Sequence, residues 1–220
     1  MRMRRKNNLD QRLIECKNYF CNDIDEPLDT RKASIEITNI NWVEIFGNNN
    51  PIHLEIGCGK GGFINDLAKL NPNINFIAVE RLTNVIIGAV ELSKANNLEN
   101  IRYLNTRCEN MPRYINESQI SKIYLNFSNP LPNSRNERQR LTYPRFLELY
   151  SFLLIKGGQL CQRTDNKEFF DYSVAQFEKS KFFDIEKVDN NLDSIIKTEH
   201  ESRFLQLGRT IYGVTVCNKK

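Results

Sequence analysis

The sequence predicts an α/β fold in which a mostly parallel sheet of seven strands is covered by helices on both faces. Segments with the apolar patterns of strands and of helices alternate along the chain after Pro51. A glycine-rich turn joins the first predicted strand to the first predicted helix. The 220 residues, 40% hydrophobic and 26% charged, have the composition of a globular protein with one α/β-sized core. In such folds, ligands bind outside the carboxyl ends of the strands.

Three strands and two helices are predicted in the first half of the chain. Residues 52–57 form an apolar run of the buried-strand type, and residues 61–70 place apolar side chains three to four positions apart, as in an amphipathic helix. The same alternation gives a strand at 75–80, a helix at 84–95 and a strand at 101–106.

Two helices and four strands complete the predicted fold. The helix at 144–155 begins with proline in its first turn and is ended by Gly157 and Gly158. The helix at 167–180 turns apolar residues towards the core. The strands are predicted at residues 122–127, 159–163, 182–188 and 211–216.

The excess of basic residues lies at the amino terminus. The chain contains 31 Lys and Arg against 27 Asp and Glu, and the first six residues carry the whole difference. The balanced remainder excludes a uniformly cationic nucleic-acid binder of the histone type. We therefore expect a basic arm and lead-in segment at residues 1–50 and one domain at 51–220. Residues 7–50 are rich in Asn and lack a clean period, so they give no secondary-structure prediction.

The cysteine pattern and the hydropathy exclude several classes of protein. The six cysteines form no C-x-x-C pair and there are only two histidines, which argues against a zinc site or a disulfide framework. No apolar run approaches the roughly 18 to 20 residues of a membrane-spanning helix. We expect a cytoplasmic protein with reduced thiols and without a metal, present as a monomer or a homodimer.

The glycine-rich turn predicts a nucleotide-type ligand. Gly57, Gly59 and Gly62 satisfy G-x-G-x-x-G, so a dinucleotide site is one possibility, and Glu80 could bind ribose hydroxyls in either case. Glu55, two residues before the first glycine, would repel a pyrophosphate but attract a cationic amino-acid ligand. This E-x-G-x-G-x-G arrangement resembles the first motif of class I S-adenosylmethionine methyltransferases.

The segment after the fourth strand predicts contact with nucleic acid. Two prolines make this loop rigid, and Asn129 would face the methyl donor from the carboxyl end of the strand. Arg135, Arg138 and Arg140 follow within six residues and could contact phosphates or stack on bases.

Together, these segments resemble the bacterial tRNA (guanine-N7)-methyltransferases over nearly the whole chain. The resemblance implies a Rossmann-like class I methyltransferase fold, S-adenosylmethionine as cofactor and tRNA as partner, with methylation of guanine 46 in the variable loop. It is carried by the basic start and by residues 54–63, 79–80, 125–143, 164–166 and 198–204.

The resemblance also implies roles for individual residues. Asn129 stands at the position of a catalytic residue and beside the cofactor. The other cofactor positions are Glu55, Gly57, Gly59, Glu80 and Arg107. The substrate positions are Asn133, Arg135, Asp165, Thr198, Glu199, His200 and Glu201.

Five positions of the chain depart from the family pattern. Asn129 replaces an Asp, Leu131 a Trp, Asn133 a Lys, Arg107 an acidic residue and His200 a Tyr. Guanine N7 has a lone pair and no proton, so its methylation needs positioning and charge stabilisation but no general base. We therefore expect catalysis that is weakened and not abolished by Asn129, with Asp165, Glu199 or Glu201 as substitutes.

Two alternatives remain open at this stage. A non-enzymatic paralogue would bind RNA and cofactor without turnover. A dehydrogenase would share only the glycine spacing, and it lacks a candidate proton-transfer histidine because His53 lies in the first strand and His200 in a late loop.

Overall fold

The computed structural model describes residues 6–22, 40–193 and 196–220. The basic residues at positions 2, 4 and 5 lie outside the described residues. The chain divides into two compact units, an N-terminal unit up to residue 115 and a C-terminal unit from residue 116.

Within its described residues, the N-terminal unit contains three parallel strands and four α-helices. Its strands pair in the order β1, β2, β3, with Ile56 opposite Val79 and Val79 opposite Leu104, so their carboxyl ends are level. Its elements are α1 (Leu9–Glu15), α2 (Trp42–Phe46), β1 (Ile52–Ile56), α3 (Gly62–Leu70), β2 (Asn75–Val79), α4 (Thr83–Ala95) and β3 (Ile101–Leu104). All five residues of β2 are buried, which explains why the four that follow Asn75 are apolar.

In the C-terminal unit, the residues that the structure describes form four strands and three α-helices. β4 and β5 are parallel, whereas β7 runs antiparallel to both β5 and β6. Its elements are β4 (Ile120–Asn126), α5 (Pro144–Leu153), β5 (Leu154–Thr164), α6 (Lys167–Lys179), β6 (Phe183–Asp189), α7 (Glu199–Gln206) and β7 (Tyr212–Asn218).

The predicted fold class is confirmed. The seven strands form one sheet in the order β3-β2-β1-β4-β5-β7-β6, and each predicted strand is present with its ends shifted by a few residues. Within the described ranges, no helix is long and apolar enough to cross a membrane.

The α5–β5 junction differs from the prediction. The helix ends at Leu153, because Leu154 already has an extended backbone with ψ 142°. The register of the β4–β5 pair shifts between Ile120 and Lys122, so the strand contains an irregularity at this point. Gly157, with φ 72°, lies within β5 and does not terminate a helix.

The prediction that His200 lies in a loop is wrong, because it belongs to α7. The helix begins after Thr198, whose hydroxyl accepts a hydrogen bond from the Glu201 amide at 2.9 Å. The sequence T-x-x-E at 198–201 is the usual signature of such a helix start. This helix has only 8 residues, so the alternation of strand and helix patterns along the chain did not indicate it.

Candidate functional site

The glycine turn follows β1 and is held against β2. The amides of Gly57 and Cys58 both donate to the Val79 carbonyl, at 2.8 and 3.0 Å. Gly57 and Gly59 have φ values of 79° and 58°, in the left-handed region that favours glycine. A Cβ on either would meet no atom within 4 Å. The backbone at these two glycines therefore faces open space where a ligand can approach closely.

Gly61 has a different role in the same turn. A Cβ at this position would lie 2.5 Å from Cβ of Ala89 on α4, so the absence of a side chain allows the turn to pack on that helix. Asn65 donates to the Gly61 carbonyl at 2.8 Å, and Ser93 donates to the Asn65 side chain at 2.6 Å. The hydroxyl of Tyr103 lies 3.0 Å from the Asn65 amide nitrogen, and burial raises the pKa of this phenol. This buried network fixes the position of the turn.

Two carboxylates flank the turn. Glu55 on β1 is 2% exposed, and its Oε2 atom has no hydrogen-bond partner among the described residues, although the residue has other interactions. Glu80 follows β2, and its Oε1 accepts from the Leu82 amide at 2.9 Å. Burial raises the pKa of the Cys58 thiol, and the charges of Glu55 and Glu80 raise it further. Both carboxylates therefore act on the turn, which is an environment suited to a cationic ligand.

Asn105 positions the Glu80 segment and was not identified from the sequence. Its side-chain amide donates to the Glu80 carbonyl at 2.8 Å, and its Oδ1 accepts from the Thr83 hydroxyl at 2.7 Å. The side chain of Asn22 bonds both backbone groups of Asn105, at 2.9 and 3.2 Å. Because Asn is abundant throughout the chain, no sequence signal distinguished this residue.

Arg107 is an exposed residue that precedes the short 3-10 helix Cys108–Arg113. Its side chain makes no hydrogen bond or ion pair with the residues described. It has no acceptor group for an adenine amine, as its chemistry already indicated. A role for Arg107 in cofactor binding stays a prediction.

In the C-terminal unit, two asparagines shape the loop after β4. Asn129 is exposed, and its Oδ1 accepts from the Leu131 amide at 3.2 Å. Asn133 caps the following 3-10 helix, because its Oδ1 accepts from the Arg135 amide at 2.9 Å. In both cases the side-chain oxygen accepts from the backbone amide two residues later, and an Asp carboxylate can accept in the same way.

The three arginines of this loop have different surroundings. Arg140 donates to the Leu131 carbonyl at 3.2 and 3.3 Å, and its guanidinium lies 4.3 Å from the centre of the Tyr172 ring. It therefore holds the loop in place. Arg135 and Arg138 are exposed, which leaves them accessible to phosphates.

Of the residues at 198–201, two point into the protein and two are exposed. Thr198 caps α7, and Glu201 is 0% exposed with its Oε2 atom 3.2 Å from Nη1 of Arg163. The same nitrogen donates to the Ile196 carbonyl at 3.0 Å. Glu199 and His200 are exposed and are thus the pair that can reach a substrate. Arg163 had not been identified as a candidate.

Asp165 and the aromatic residues of α7 lie near one another. Asp165 accepts from Nη1 of Arg209 at 2.6 Å, and this guanidinium lies 5.0 Å from the centre of the Phe204 ring. The His200 ring stacks on Phe204 with centroids 5.9 Å apart, and Phe127 lies 6.1 and 5.7 Å from the two rings. An exposed imidazole above two phenyl rings can stack on a nucleobase.

The part of the chain that the structure describes holds no group of three His, Cys, Asp or Glu residues able to bind a metal ion.

Comparisons with known proteins place these residues among methyltransferases. Residues 49–214 match the model of a family described as "Putative methyltransferase". A tRNA (guanine-N(7)-)-methyltransferase of Geobacillus sp. is 41% identical over 175 residues, covering 78% of this chain and 80% of the relative. The enzyme of the same name from Alkaliphilus oremlandii is 37% identical over 216 residues, covering 96% and 97%.

Solved structures support the same fold. The 16S rRNA methyltransferase KamB has a TM-score of 0.65 at 13% identity, covering 86% of this chain and 97% of that one. An antibiotic-related methyltransferase has a TM-score of 0.61 at 20% identity, covering 86% and 96%. At these identities the likeness concerns the fold alone.

Proposed function

Because the chain belongs to the tRNA (guanine-N(7)-)-methyltransferase family, we propose that it transfers the methyl group of S-adenosylmethionine to N7 of guanine 46 in the tRNA variable loop. The product would be S-adenosylhomocysteine. The observation that carries the proposal is the glycine turn, in which two glycines face open space between the carboxylates of Glu55 and Glu80.

The residues of the N-terminal unit fit S-adenosylmethionine. Gly57 and Gly59 leave room for close backbone approach, and the buried Glu55 carboxylate suits a ligand with cationic groups. One carboxylate oxygen of Glu80 accepts from the Leu82 amide, and the other can accept from ribose hydroxyls. When bound, the cofactor supplies an electrophilic methyl group on a positively charged sulfur.

On the tRNA side, methyl transfer depends on the position of the guanine and on stabilisation of the charge that develops on it. The lone pair of N7 can attack without prior loss of a proton, so no residue needs to act as a general base. Positive charge develops on the guanine ring, and a nearby carboxylate would stabilise it. Glu201 is buried against Arg163 and Asp165 pairs with Arg209, so the exposed Glu199 is the acidic residue best placed to compensate for Asn129.

Recognition of tRNA is assigned to the exposed groups of the C-terminal unit. Arg135 is positioned by Asn133 to contact phosphates, and His200 can stack on a base. Thr198 and Glu201 support this surface from within α7. We expect the protein to act in the cytoplasm, as a monomer or a homodimer.

The proposal is tested with an unmodified tRNA transcript and labelled methyl donor. Label should enter the wild-type transcript, and a matched transcript with adenine in place of guanine 46 should accept none. Equal labelling of both transcripts would place the target elsewhere and reject the position.

A second candidate is a paralogue that binds tRNA and cofactor without turnover. It is favoured by three departures from the family pattern at alternating positions of one loop, Asn129, Leu131 and Asn133. It predicts binding of both ligands with no label transferred to any transcript. Replacing Asn129 by Asp then decides whether the missing charge is the cause.

A further inference from the structure

Arg81 and Arg107 are two exposed arginines on neighbouring segments of the N-terminal unit. Arg81 directly follows Glu80 after β2, and Arg107 comes shortly after β3. Since Val79 pairs with Leu104 in parallel register, both arginines lie at the carboxyl edge of their strands. Neither side chain forms a hydrogen bond or an ion pair with any part of the chain that is described. Among residues 6–22, 40–193 and 196–220, therefore, no carboxylate forms an ion pair with either guanidinium.

Three other cations of the unit do have partners within it. Arg12 forms two hydrogen bonds with Glu91, at 2.5 and 2.6 Å. Arg102 donates to the carbonyls of Glu99 and Ile101 at 2.8 Å each, and Lys94 donates to the Glu15 carbonyl at 3.0 Å.

The segments that carry the two arginines are fastened together. Asn105 donates to the carbonyl of Glu80, next to Arg81, and lies two residues before Arg107. Its bonds to Thr83 and Asn22 immobilise both segments. Because the two backbone segments are fixed relative to each other, less conformational entropy is lost when the guanidinium groups bind a ligand.

The basic arm joins the molecule at the same place. Lys6 is the last of the four basic residues that carry the net charge, and its backbone amide donates to the Asn84 side chain at 3.1 Å. Asn84 lies in the first turn of α4, three residues after Arg81. The end of the arm is therefore anchored beside the Arg81 segment.

We propose that Arg81 and Arg107 form a binding surface for the phosphate backbone of the tRNA, here called the arginine patch. The proposal rests on the proposed function and extends it to residues of the N-terminal unit. Arginine suits this partner because its fork of donors matches phosphate oxygens and stays charged at all relevant pH values. S-adenosylmethionine carries an ammonium, a sulfonium and one carboxylate, so its net charge is positive. A nucleic-acid backbone with many phosphates is the better match for two arginines.

The test compares the double variant Arg81→Gln/Arg107→Gln with the matched control Lys17→Gln/Lys69→Gln. Lys69 lies in the last turn of α3, just before β2. Lys17 comes two residues after Glu15, whose carbonyl accepts from Lys94 in the last turn of α4, just before β3. Both lysines therefore lie at the opposite edge of the strands. Both pairs remove two exposed positive charges. The measurements are tRNA affinity at several salt concentrations and S-adenosylhomocysteine affinity by calorimetry.

We expect the slope of log affinity against log salt to be shallower by roughly 1 to 2 units in the arginine variant, about one for each phosphate that is no longer bound. Its S-adenosylhomocysteine affinity should stay at the wild-type level, and the lysine control should keep the wild-type slope. An unchanged slope in the arginine variant, or an equal change in the control, would overturn the patch. A loss of S-adenosylhomocysteine binding would assign the arginines to the cofactor site instead. Wild-type protein that transfers no methyl to tRNA contradicts the proposed function, whatever the slopes are.

Discussion

Glu201 is fully buried, and the guanidinium of Arg163 is the cation that lies against its carboxylate at 3.2 Å. The backbone carbonyl of Arg163 also accepts from the amide of Phe127, which begins the loop after β4. Arg163 thus joins α7 to the loop that contains Asn129. We therefore propose that Glu201 supports α7 and that the exposed Glu199 and His200 contact the substrate.

Removing either partner of this pair should destabilise the protein. Arg163→Gln leaves a buried carboxylate without its cation, which costs about 3 kcal/mol in the free energy of unfolding. Glu201→Gln should have a similar effect for the same reason. Urea unfolding of both single variants and of the double variant measures the coupling. If the two single effects simply add in the double variant, the ion pair does not hold α7.

Asn129→Asp should increase the rate of methyl transfer. The carboxylate can still accept from the Leu131 amide, so the turn is kept while a negative charge is added. We expect kcat to rise about tenfold, which corresponds to roughly 1.4 kcal/mol of transition-state stabilisation. Asn133→Asp adds the same charge at another turn cap of this loop and should give no increase. A rise in both variants would point to a general charge effect.

Cys21 should make stability depend on pH in the alkaline range. Burial raises the pKa of its thiol from 9.0 to about 11. The unfolded chain therefore loses this proton first, so the free energy of unfolding is constant with respect to this group below about pH 9 and falls as the pH rises towards 11. The steepest contribution is about 1 kcal/mol per pH unit. Urea unfolding between pH 8 and 10.5 should show a shallower fall for Cys21→Ala than for the wild type, and parallel curves would contradict the assignment.

At the scale of elements, α1 is attached to α4 by a few polar contacts. Arg12 forms a two-point ion pair with Glu91, and this hydrogen bonding lowers the pKa of the Glu91 carboxyl. Lys94 near the end of α4 donates to the Glu15 carbonyl at the end of α1. A helix of seven residues is not stable alone, so these contacts and the burial of Leu9 hold it.

Arg12→Gln should loosen α1 without unfolding the sheet. The amides of α1 should exchange with deuterium faster, while those of α3 keep their wild-type rates. Lys17→Gln, an exposed change just after α1, should leave both sets unchanged. The same loosening should occur in the wild type as the pH falls through the lowered pKa of Glu91 and the ion pair is broken. Unchanged exchange in Arg12→Gln would show that apolar packing alone holds the helix.

The elements that the sequence predicted are those with a strong local signal. The strands show buried apolar runs, and the glycine turn follows from its spacing alone. In contrast, α1 and α2 depend on partners far along the chain: Arg12 and Glu91 are 79 residues apart, and the Trp42 indole donates to the Tyr114 carbonyl over 72 residues. Because these contacts join distant parts of the chain, no local sequence pattern predicts them. The same applies to Arg163 and Asn105, whose importance follows from what they touch.

At the scale of the whole molecule, the candidate residues fall into two sets. Glu55, the glycine turn and Glu80 belong to the N-terminal unit, whereas Asn129, Arg135, Asp165 and α7 belong to the C-terminal unit. In our proposal the carboxylates bind the cofactor and the arginines contact phosphates, a division that the nearly balanced total charge conceals. Variants of the first set should therefore change S-adenosylhomocysteine affinity, and variants of the second set should change tRNA affinity.

The central claim is tested most directly by mapping the methyl group on the tRNA. An unmodified tRNA is incubated with the protein and S-adenosylmethionine and then treated to cleave the chain at 7-methylguanine. We predict one cleavage, at guanine 46 in the variable loop, which is absent when S-adenosylmethionine is omitted. Methylated tRNA that resists this cleavage, or that is cut only at other guanines, would contradict the account.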